Sequence, residues 1–146
     1  MNFSSESIKK KAIELGFQKV GIVSADRTAK QKADLENWLE LGYHATMDWM
    51  SMRMKERGNI HTYFPKARSI IAVGMNYYVG KDQTDLKSDL KFSNYAWGDD
   101  YHDILKSGLF QLLAWIKEYE PDVKGVVCVD TSPVMDKVWA QKAGLG

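Results

Sequence analysis

The sequence has a single cysteine, Cys128, among its 146 residues. One thiol excludes a disulfide framework, and it excludes any all-cysteine zinc or iron–sulfur site held by this chain alone. Histidine is also scarce, and the three histidines lie too far apart in the sequence to indicate a metal site. The net charge is only +1, so no global basic field points to nucleic-acid binding.

Long hydrophobic runs are also missing. No run approaches the roughly 18 apolar residues that a membrane-spanning helix needs, and the polar N-terminus lacks the apolar segment of a secretory signal peptide. Hydrophobic residues make up 45% of the chain and charged residues 27%, which is typical of a globular protein and not of a disordered one. We therefore expect one cytoplasmic domain that is monomeric and has no membrane partner.

Hydrophobic periodicity and capping residues predict a mixed α/β domain. The predicted helices are 5–15, 28–41, 46–57, 99–119 and 132–142; the predicted strands are 19–24, 67–78 and 123–129, and 81–91 is a predicted loop. The strand at 123–129 is nearly all apolar, so we expect it to be central and buried on both faces. Ser132 and Pro133 are favourable first residues for the final helix. The expected architecture is a central mixed sheet flanked by helices.

Residues 94–102, NYAWGDDYH, concentrate aromatic side chains, two carboxylates and a histidine at the start of the long helix. Aromatic rings beside a glycine can form a flat wall for a planar ligand, and a helix N-terminus adds free N–H groups and the positive end of the dipole. The alternative is structural: Asp99 or Asp100 caps the helix while Tyr95 and Trp97 pack in the core. Both interpretations remain open at this point.

Residues 129–134, VDTSPV, place a carboxylate at the end of an apolar stretch. Ser132 can cap the following helix, so Asp130 is not needed for that purpose. Burial of Asp130 would favour its protonated form and make it a general acid. The alternative is an aspartate that only accepts hydrogen bonds from nearby loop N–H groups.

No generic catalytic motif is present, but several segments together are recognisable. They are Gly42-Tyr43-His44, Met47-Asp48-Trp49-Met50, PKARSIIAVGMNYY at 65–78, YAWGDDYH at 95–102 and VDTSPVMDKVWAQKAGLG at 129–146. In this order and spacing they resemble the N-terminal cobalamin-binding domain of the epoxyqueuosine reductase family. The resemblance covers essentially the whole chain.

The resemblance implies a nitroreductase-like, corrinoid-binding fold and an oxidoreductase that converts epoxyqueuosine to queuosine at the wobble position of tRNA. It implies cobalamin and two 4Fe–4S clusters as cofactors, with the clusters in a ferredoxin-like domain that this chain lacks. We therefore expect residues 1–146 to be the cobalamin-binding domain of a longer enzyme, inactive alone and with weak or no tRNA binding. The alternatives are a stand-alone corrinoid-binding module and a flavin-binding nitroreductase-like protein.

The resemblance also assigns roles to residues. Asp130 matches the proton donor, which would protonate the leaving oxygen while cobalamin supplies electrons to the epoxide carbon. No residue is expected to ligate a metal. Asn94 departs from the basic residue that often precedes the YAWG segment. The expected cofactor-binding residues are Asn76, Tyr77, Tyr95, Trp97, Asp100, Tyr101, His102, Ser132, Pro133 and Val134. The candidate basic patch for nucleic acid is Arg53, Lys55, Arg57, Lys66 and Arg68.

Overall fold

The structure is a computed structural model, and it describes residues 3–26, 28–80 and 90–146. Within these residues, two antiparallel strands form a sheet. Strand β1 (Lys19–Ser24) pairs with β2 (Ser69–Gly74) along their whole length, with Lys19 opposite Gly74 and Ser24 opposite Ser69. Both strands are rich in β-branched residues, which suit a pleated, half-buried surface.

Helices account for most of the remaining regular structure. They are α1 (Ser5–Glu14), α2 (Ala29–Glu40), α3 (Met54–Gly58), α4 (Ile60–Tyr63), α5 (Tyr101–Tyr119) and α6 (Asp136–Lys142), with short 3₁₀ helices at Asp48–Met50 and Asn94–Ala96. Within the described ranges, no helix combines the length and the apolar character needed to cross a membrane. The predicted loop at 81–91 lies outside the described residues except for its last two positions.

The sheet lies between two hydrophobic clusters. On one face, Val20 and Val73 pack against a core formed by α1, α5 and the buried ring of Phe17. On the other face, Val23 and Ile70 pack against Trp139 of α6. The alternation of side chains along a strand explains this division, because successive residues point to opposite faces.

The predicted α/β class is confirmed, but the sheet is smaller than the expected central mixed sheet. The predicted strand at 123–129 joins no sheet among the described residues and has no regular secondary structure. Val123 is 37% exposed and Val126 46% exposed, and only Val129 of this apolar run is buried. Gly125 faces the Leu113 side chain of α5, so the segment packs on a helix and not inside a sheet. An apolar run alone does not distinguish these two environments.

The predicted helix at 46–57 is also wrong. The chain forms a 3₁₀ turn at Asp48–Met50, and Arg53 then adopts the left-handed conformation (φ 56°) before α3 begins. Two guanidinium–aromatic contacts accompany this break: Arg53 lies over the ring of Tyr63, and Arg57 lies over Trp49. These tertiary contacts override the local helical propensity.

Two further boundaries differ from the prediction. Strand β2 ends at Gly74 because its partner begins at Lys19, so the residues after Gly74 leave the sheet. Helix α6 begins at Asp136 and not at Ser132, since the N–H of Val134 bonds back to the carbonyl of Ser132 and forms a tight turn.

Candidate functional site

An open cavity of about 1120 Å³ lies between the end of β2 and the start of α5. The chain reaches it where residues leave regular structure, which is where α/β folds usually place their ligand sites. Its walls are mainly apolar and aromatic. The lining residues are Met75, Asn76, Tyr77, Val79, Asn94, Tyr95, Trp97, Gly98, Asp99, Tyr101, Ile104, Leu105, Asp130 and Lys137.

Three tyrosine rings form a continuous wall of this cavity. Tyr77 meets Tyr95 edge to face with ring centroids 6.5 Å apart, and Tyr95 meets Tyr101 in the same way at 5.9 Å. Edge-to-face packing at these distances is favourable for aromatic pairs. Tyr95 nevertheless remains 53% exposed, so the ring faces the cavity and does not pack in a closed core.

Backbone and side-chain hydrogen bonds hold the two edges of this wall. Gln18 accepts a hydrogen bond from the N–H of Asn76 at 2.9 Å, and Asn76 accepts one from the N–H of Tyr78 at 3.0 Å. The indole N–H of Trp97 donates to the carbonyl of Phe92 at 3.0 Å. The wall is therefore anchored to the strand on one side and to the residues before α5 on the other.

Asp130 projects from a strained turn at the edge of the cavity. Its φ of 50° lies in the left-handed region, and the Thr131 N–H bonds back to the Val129 carbonyl across it. Such a turn is rare for a residue with a side chain and stores strain, a feature found at functional sites. The carboxylate is 56% exposed, so the expected burial of Asp130 is wrong and cannot explain an acidic role.

Asp130 is instead surrounded by groups that can carry protons. The Tyr101 hydroxyl donates a hydrogen bond to its Oδ2, and His102 Nε2 lies 3.8 Å from the same oxygen. The latter distance is too long for a hydrogen bond but close enough for an ion pair when the imidazole is protonated. The rings of Tyr101 and His102 stack with centroids 4.1 Å apart, which fixes both groups beside one carboxylate.

Asp100 orients the histidine. Its Oδ1 accepts the backbone N–H of His102 at 2.8 Å, which caps α5, and lies 2.7 Å from the imidazole Nδ1. These two hydrogen bonds, the backbone one first, hold the pKa of Asp100 below its ordinary value. An ionised Asp100 favours a proton on Nδ1 and leaves Nε2 facing Asp130. Asp100 therefore caps the helix, as the structural interpretation predicted, and also orients a site residue.

The hydroxyl of Tyr101 keeps its proton and donates a hydrogen bond to Asp130. The hydrogen bond to Asp130, followed by desolvation and the charge of the same carboxylate, raises the pKa of Tyr101 from 10.0 to about 12. Tyr101 is consequently protonated throughout the neutral range and keeps its proton directed at Asp130.

The structure brings together most of the predicted site residues. Asn76, Tyr77, Tyr95, Trp97, Tyr101 and Asp130 line the cavity, and Asp100 and His102 adjoin Asp130. Ser132, Pro133 and Val134 do not line it: Pro133 is buried, and Val134 packs against the Trp139 cluster. Their predicted contact with a cofactor therefore has no support in this geometry.

Lys137 lines the cavity and was missed by the sequence reasoning. No local motif marks it, because its place depends on the late start of α6. No group of three or more potential metal ligands occurs within residues 3–26, 28–80 and 90–146.

Comparisons with known proteins agree on one family. Residues 57–131 match the family model "Epoxyqueuosine reductase QueG, DUF1730". The chain is 39% identical over 145 residues to epoxyqueuosine reductase of Prochlorococcus marinus, covering 97% of this chain and 45% of that protein. The chain thus spans about half the length of the curated relatives it matches.

Two solved structures are similar over 97% of this chain and 38% of theirs. One is an epoxyqueuosine reductase with a tRNA-Tyr epoxyqueuosine-modified stem loop, at a TM-score of 0.79 and 27% identity. The other is epoxyqueuosine reductase from Bacillus subtilis with its catalytic aspartate loop swung out of the active site, at a TM-score of 0.81 and 26% identity.

Proposed function

The chain belongs to the epoxyqueuosine reductase family, and we propose that it is the cobalamin-binding part of an enzyme that reduces epoxyqueuosine in tRNA to queuosine. The observation that carries the proposal is the contact between Tyr101 and Asp130 at the edge of an aromatic cavity. It places a carboxyl and its proton-bearing neighbours beside a space for a large flat ligand. The catalytic aspartate loop of the Bacillus subtilis relative supports the same role for the Asp130 turn.

The residues present fit cobalamin. The cavity, at about 1120 Å³, is larger than the roughly 300–1,000 Å³ typical of small-molecule pockets, as a ligand of the size of cobalamin requires. Tyr77 and Tyr95, which pack edge to face, give the cavity an apolar wall against which a planar ring can lie. Because the corrin ring already holds the cobalt, a cobalamin pocket depends on its size and apolar surface more than on a cluster of metal-ligating side chains. When bound, cobalamin would supply the electrons that reduce the epoxide carbon.

The residues present do not fit an iron–sulfur cluster. Such clusters are held by about four thiolates, and Cys128 is the only cysteine in the sequence. The two 4Fe–4S clusters that the family resemblance implies would need ligands from outside this chain.

The chain's own part in the reaction is proton delivery. Converting an epoxide to an alkene consumes two electrons and two protons and releases water, so the oxygen must be protonated as its bonds to carbon break. Asp130 is the carboxyl at the cavity edge that can donate a proton to that oxygen. His102 Nε2 lies 3.8 Å from Asp130 Oδ2, and a side-chain movement that closes this gap to hydrogen-bond length would let the imidazole return a proton to the carboxyl, while Asp100 holds the imidazole in position. Tyr101 orients Asp130 through its hydrogen bond.

Cofactor retention tests the binding part of this proposal. The 146-residue protein is mixed with hydroxocobalamin or with FMN, desalted and examined by absorbance. We expect retention of hydroxocobalamin and its loss in Tyr95→Ala. The matched control is Phe110→Ala, which removes an equally exposed ring (58% against 53%) from a position that does not line the cavity. Retention of FMN without hydroxocobalamin would support the flavin alternative, and equal retention by both variants would contradict the assigned pocket.

Turnover tests the catalytic part. In a full-length reductase that contains this chain, with cobalamin and clusters loaded, Asp130→Asn should abolish conversion of epoxyqueuosine while cofactor content stays constant. His102→Gln should leave the first turnover measurable and slow the later ones, because it removes the group that returns the proton. Unchanged activity of Asp130→Asn would overturn the proton-donor assignment.

A further inference from the structure

Residues 124–128 form a stretch of backbone without hydrogen-bond partners, which we call the unpaired segment. Before it, the N–H of Val123 bonds to the carbonyl of Glu120. After it, the N–H of Thr131 bonds to the carbonyl of Val129. Between these two bonds, no N–H or C=O group of the unpaired segment is hydrogen-bonded to any residue that the structure describes. Peptide groups are strong donors and acceptors, so this row is available to another backbone.

The side chains of the unpaired segment favour a strand. Val126, Val127 and Cys128 are apolar, and β-branched residues such as valine are enriched in strands. The segment nevertheless has no regular secondary structure in this chain, and Val126 is 46% exposed. Exposed apolar side chains together with unpaired peptide groups are the properties of a sheet edge that can pair with another strand.

Helix α5 covers one side of the unpaired segment. A Cβ built on Gly125 would lie 2.6 Å from the Leu113 side chain of α5, so this side has no room for another chain. Phe110 precedes Leu113 by three residues and therefore lies on the same helix face, and its side chain is 58% exposed. A partner must approach the side that α5 leaves open, and Phe110 adds apolar surface beside that approach.

The remainder of a longer polypeptide can supply such a partner. Only 45% of the Prochlorococcus marinus relative is covered by this chain, so more than half of that protein lies outside the match. A strand added to an exposed edge gains main-chain hydrogen bonds, and its alternate side chains cover apolar surface. A strand tethered to the same polypeptide meets the edge at a high effective concentration. This advantage favours a tethered strand over a second copy of the chain.

We propose that the unpaired segment is the docking edge for one β-strand supplied by the part of a longer reductase that lies outside residues 1–146. The proposal rests on the proposed function, because that function takes the chain to be one part of a longer enzyme. The docking strand pairs with the free peptide groups and directs apolar side chains toward Val126 and Phe110. The unpaired segment ends two residues before Asp130, so the docked strand also lies close to the turn that carries the proposed proton donor.

Hydrogen exchange tests the proposal on the 146-residue protein and on a full-length reductase that contains it, both without cobalamin. Exchange is read residue by residue, by mass spectrometry with electron-transfer fragmentation. In the 146-residue protein, the amides of the unpaired segment should exchange at the rate of an unstructured peptide, because no carbonyl accepts them. In the full-length protein, alternate amides should exchange at least about tenfold more slowly, because every second N–H of an edge strand faces its partner. Leu112, which is buried in α5, should be protected in both proteins.

A charge placed at the edge tests where the strand docks. Val126→Lys puts an ammonium group where the docking strand brings apolar side chains, so it should remove the protection of the unpaired segment in the full-length protein. In the 146-residue protein its unfolding midpoint should stay within about 2 °C of wild type, because Val126 is exposed there. Met52→Lys is the matched control: it adds the same charge at another exposed apolar side chain (62%) and should leave exchange of the segment unchanged. The comparison of the two wild-type proteins holds even where a variant folds poorly.

Equal exchange of the unpaired segment in the two wild-type proteins would overturn the proposal, and so would protection in the full-length protein that Val126→Lys leaves intact. Protection in the 146-residue protein that rises with protein concentration would make a second copy the occupant, which also overturns it. The cofactor test is separate. If hydroxocobalamin is not retained but the segment is protected only in the full-length protein, the docking edge stands and the cobalamin proposal fails. If hydroxocobalamin is retained and the segment is unprotected in both proteins, only the docking edge fails.

Discussion

Replacing Asp130 with Asn removes the charge that holds the proton of Tyr101. In the wild-type protein the pKa of Tyr101 is raised from 10.0 to about 12, and the first cause is its hydrogen bond to Asp130. Desolvation and the carboxylate charge follow, and the charge of Asp100 contributes less. In Asp130→Asn an amide oxygen can still accept the hydrogen bond, but it carries no charge. We therefore expect the pKa of Tyr101 to fall part of the way back to 10.0, because the charge is lost and a neutral acceptor forms a weaker hydrogen bond, while desolvation remains.

The measurement is a pH titration of the tyrosine Cζ resonances in protein with labelled tyrosine, with Tyr101→Phe used to assign the signal among the seven tyrosines. Asp100→Asn is the matched control, since it removes a carboxylate of equal charge next to Tyr101 and should move the pKa little. Added salt should lower the wild-type value only in part, because screening acts on the charge and not on the hydrogen bond. A wild-type pKa near 10.0, or a value of about 12 that persists in Asp130→Asn, would refute the described contact.

Three stability predictions follow from packing, each measured by urea unfolding. Gly108→Ala should destabilise the protein by about 1 kcal/mol despite better helix propensity, because the new Cβ would lie 2.8 Å from the buried Phe17 ring; a stability gain would contradict that close packing. Gly21→Ala should cost at least about 2 kcal/mol, because its Cβ would collide with the Ala143 backbone carbonyl under α6, and an unchanged midpoint would show that α6 does not pack on the sheet. Thr28→Val should lower the free energy of unfolding by about 1–3 kcal/mol, because the buried Thr28 hydroxyl donates a 3.0 Å hydrogen bond to the backbone carbonyl of Gly58 at the end of α3. Thr28→Ser keeps the hydroxyl and is the control, so it should lower the free energy of unfolding less.

Local signals predicted the elements that local physics determines. Ser4 caps the start of helix α1, and Asp100 caps the start of the long helix α5. Strand β1 matches its predicted bounds because its residues are β-branched and bounded by polar ones. Predictions failed where distant partners decide the conformation. The segment 123–129 had the composition of a buried strand, but nothing in its sequence states that it packs on α5.

The site shows the same division. The aromatic and acidic residues before α5 were predicted as site residues from their density in the sequence, and Tyr95 and Trp97 line the cavity. The burial of Asp130 was not correctly predicted, because exposure depends on the turn conformation that follows Val129. Lys137 joins the cavity only because α6 starts late, and no nearby residue type signals that start.

The pairing of β1 with β2 has a consequence for how the molecule folds. Residues 25–68 separate the two strands, so the sheet forms only after a long loop has closed. The entropic cost of closing a loop grows slowly with loop length, by about 0.6 kcal/mol per doubling. Because the loop must close before the strands make their stabilising contacts, this cost slows folding. The two guanidinium–aromatic contacts, Arg53 over Tyr63 and Arg57 over Trp49, both lie within this loop. By joining residues inside the loop they shorten the part that remains free, which lowers the entropy lost when the sheet closes.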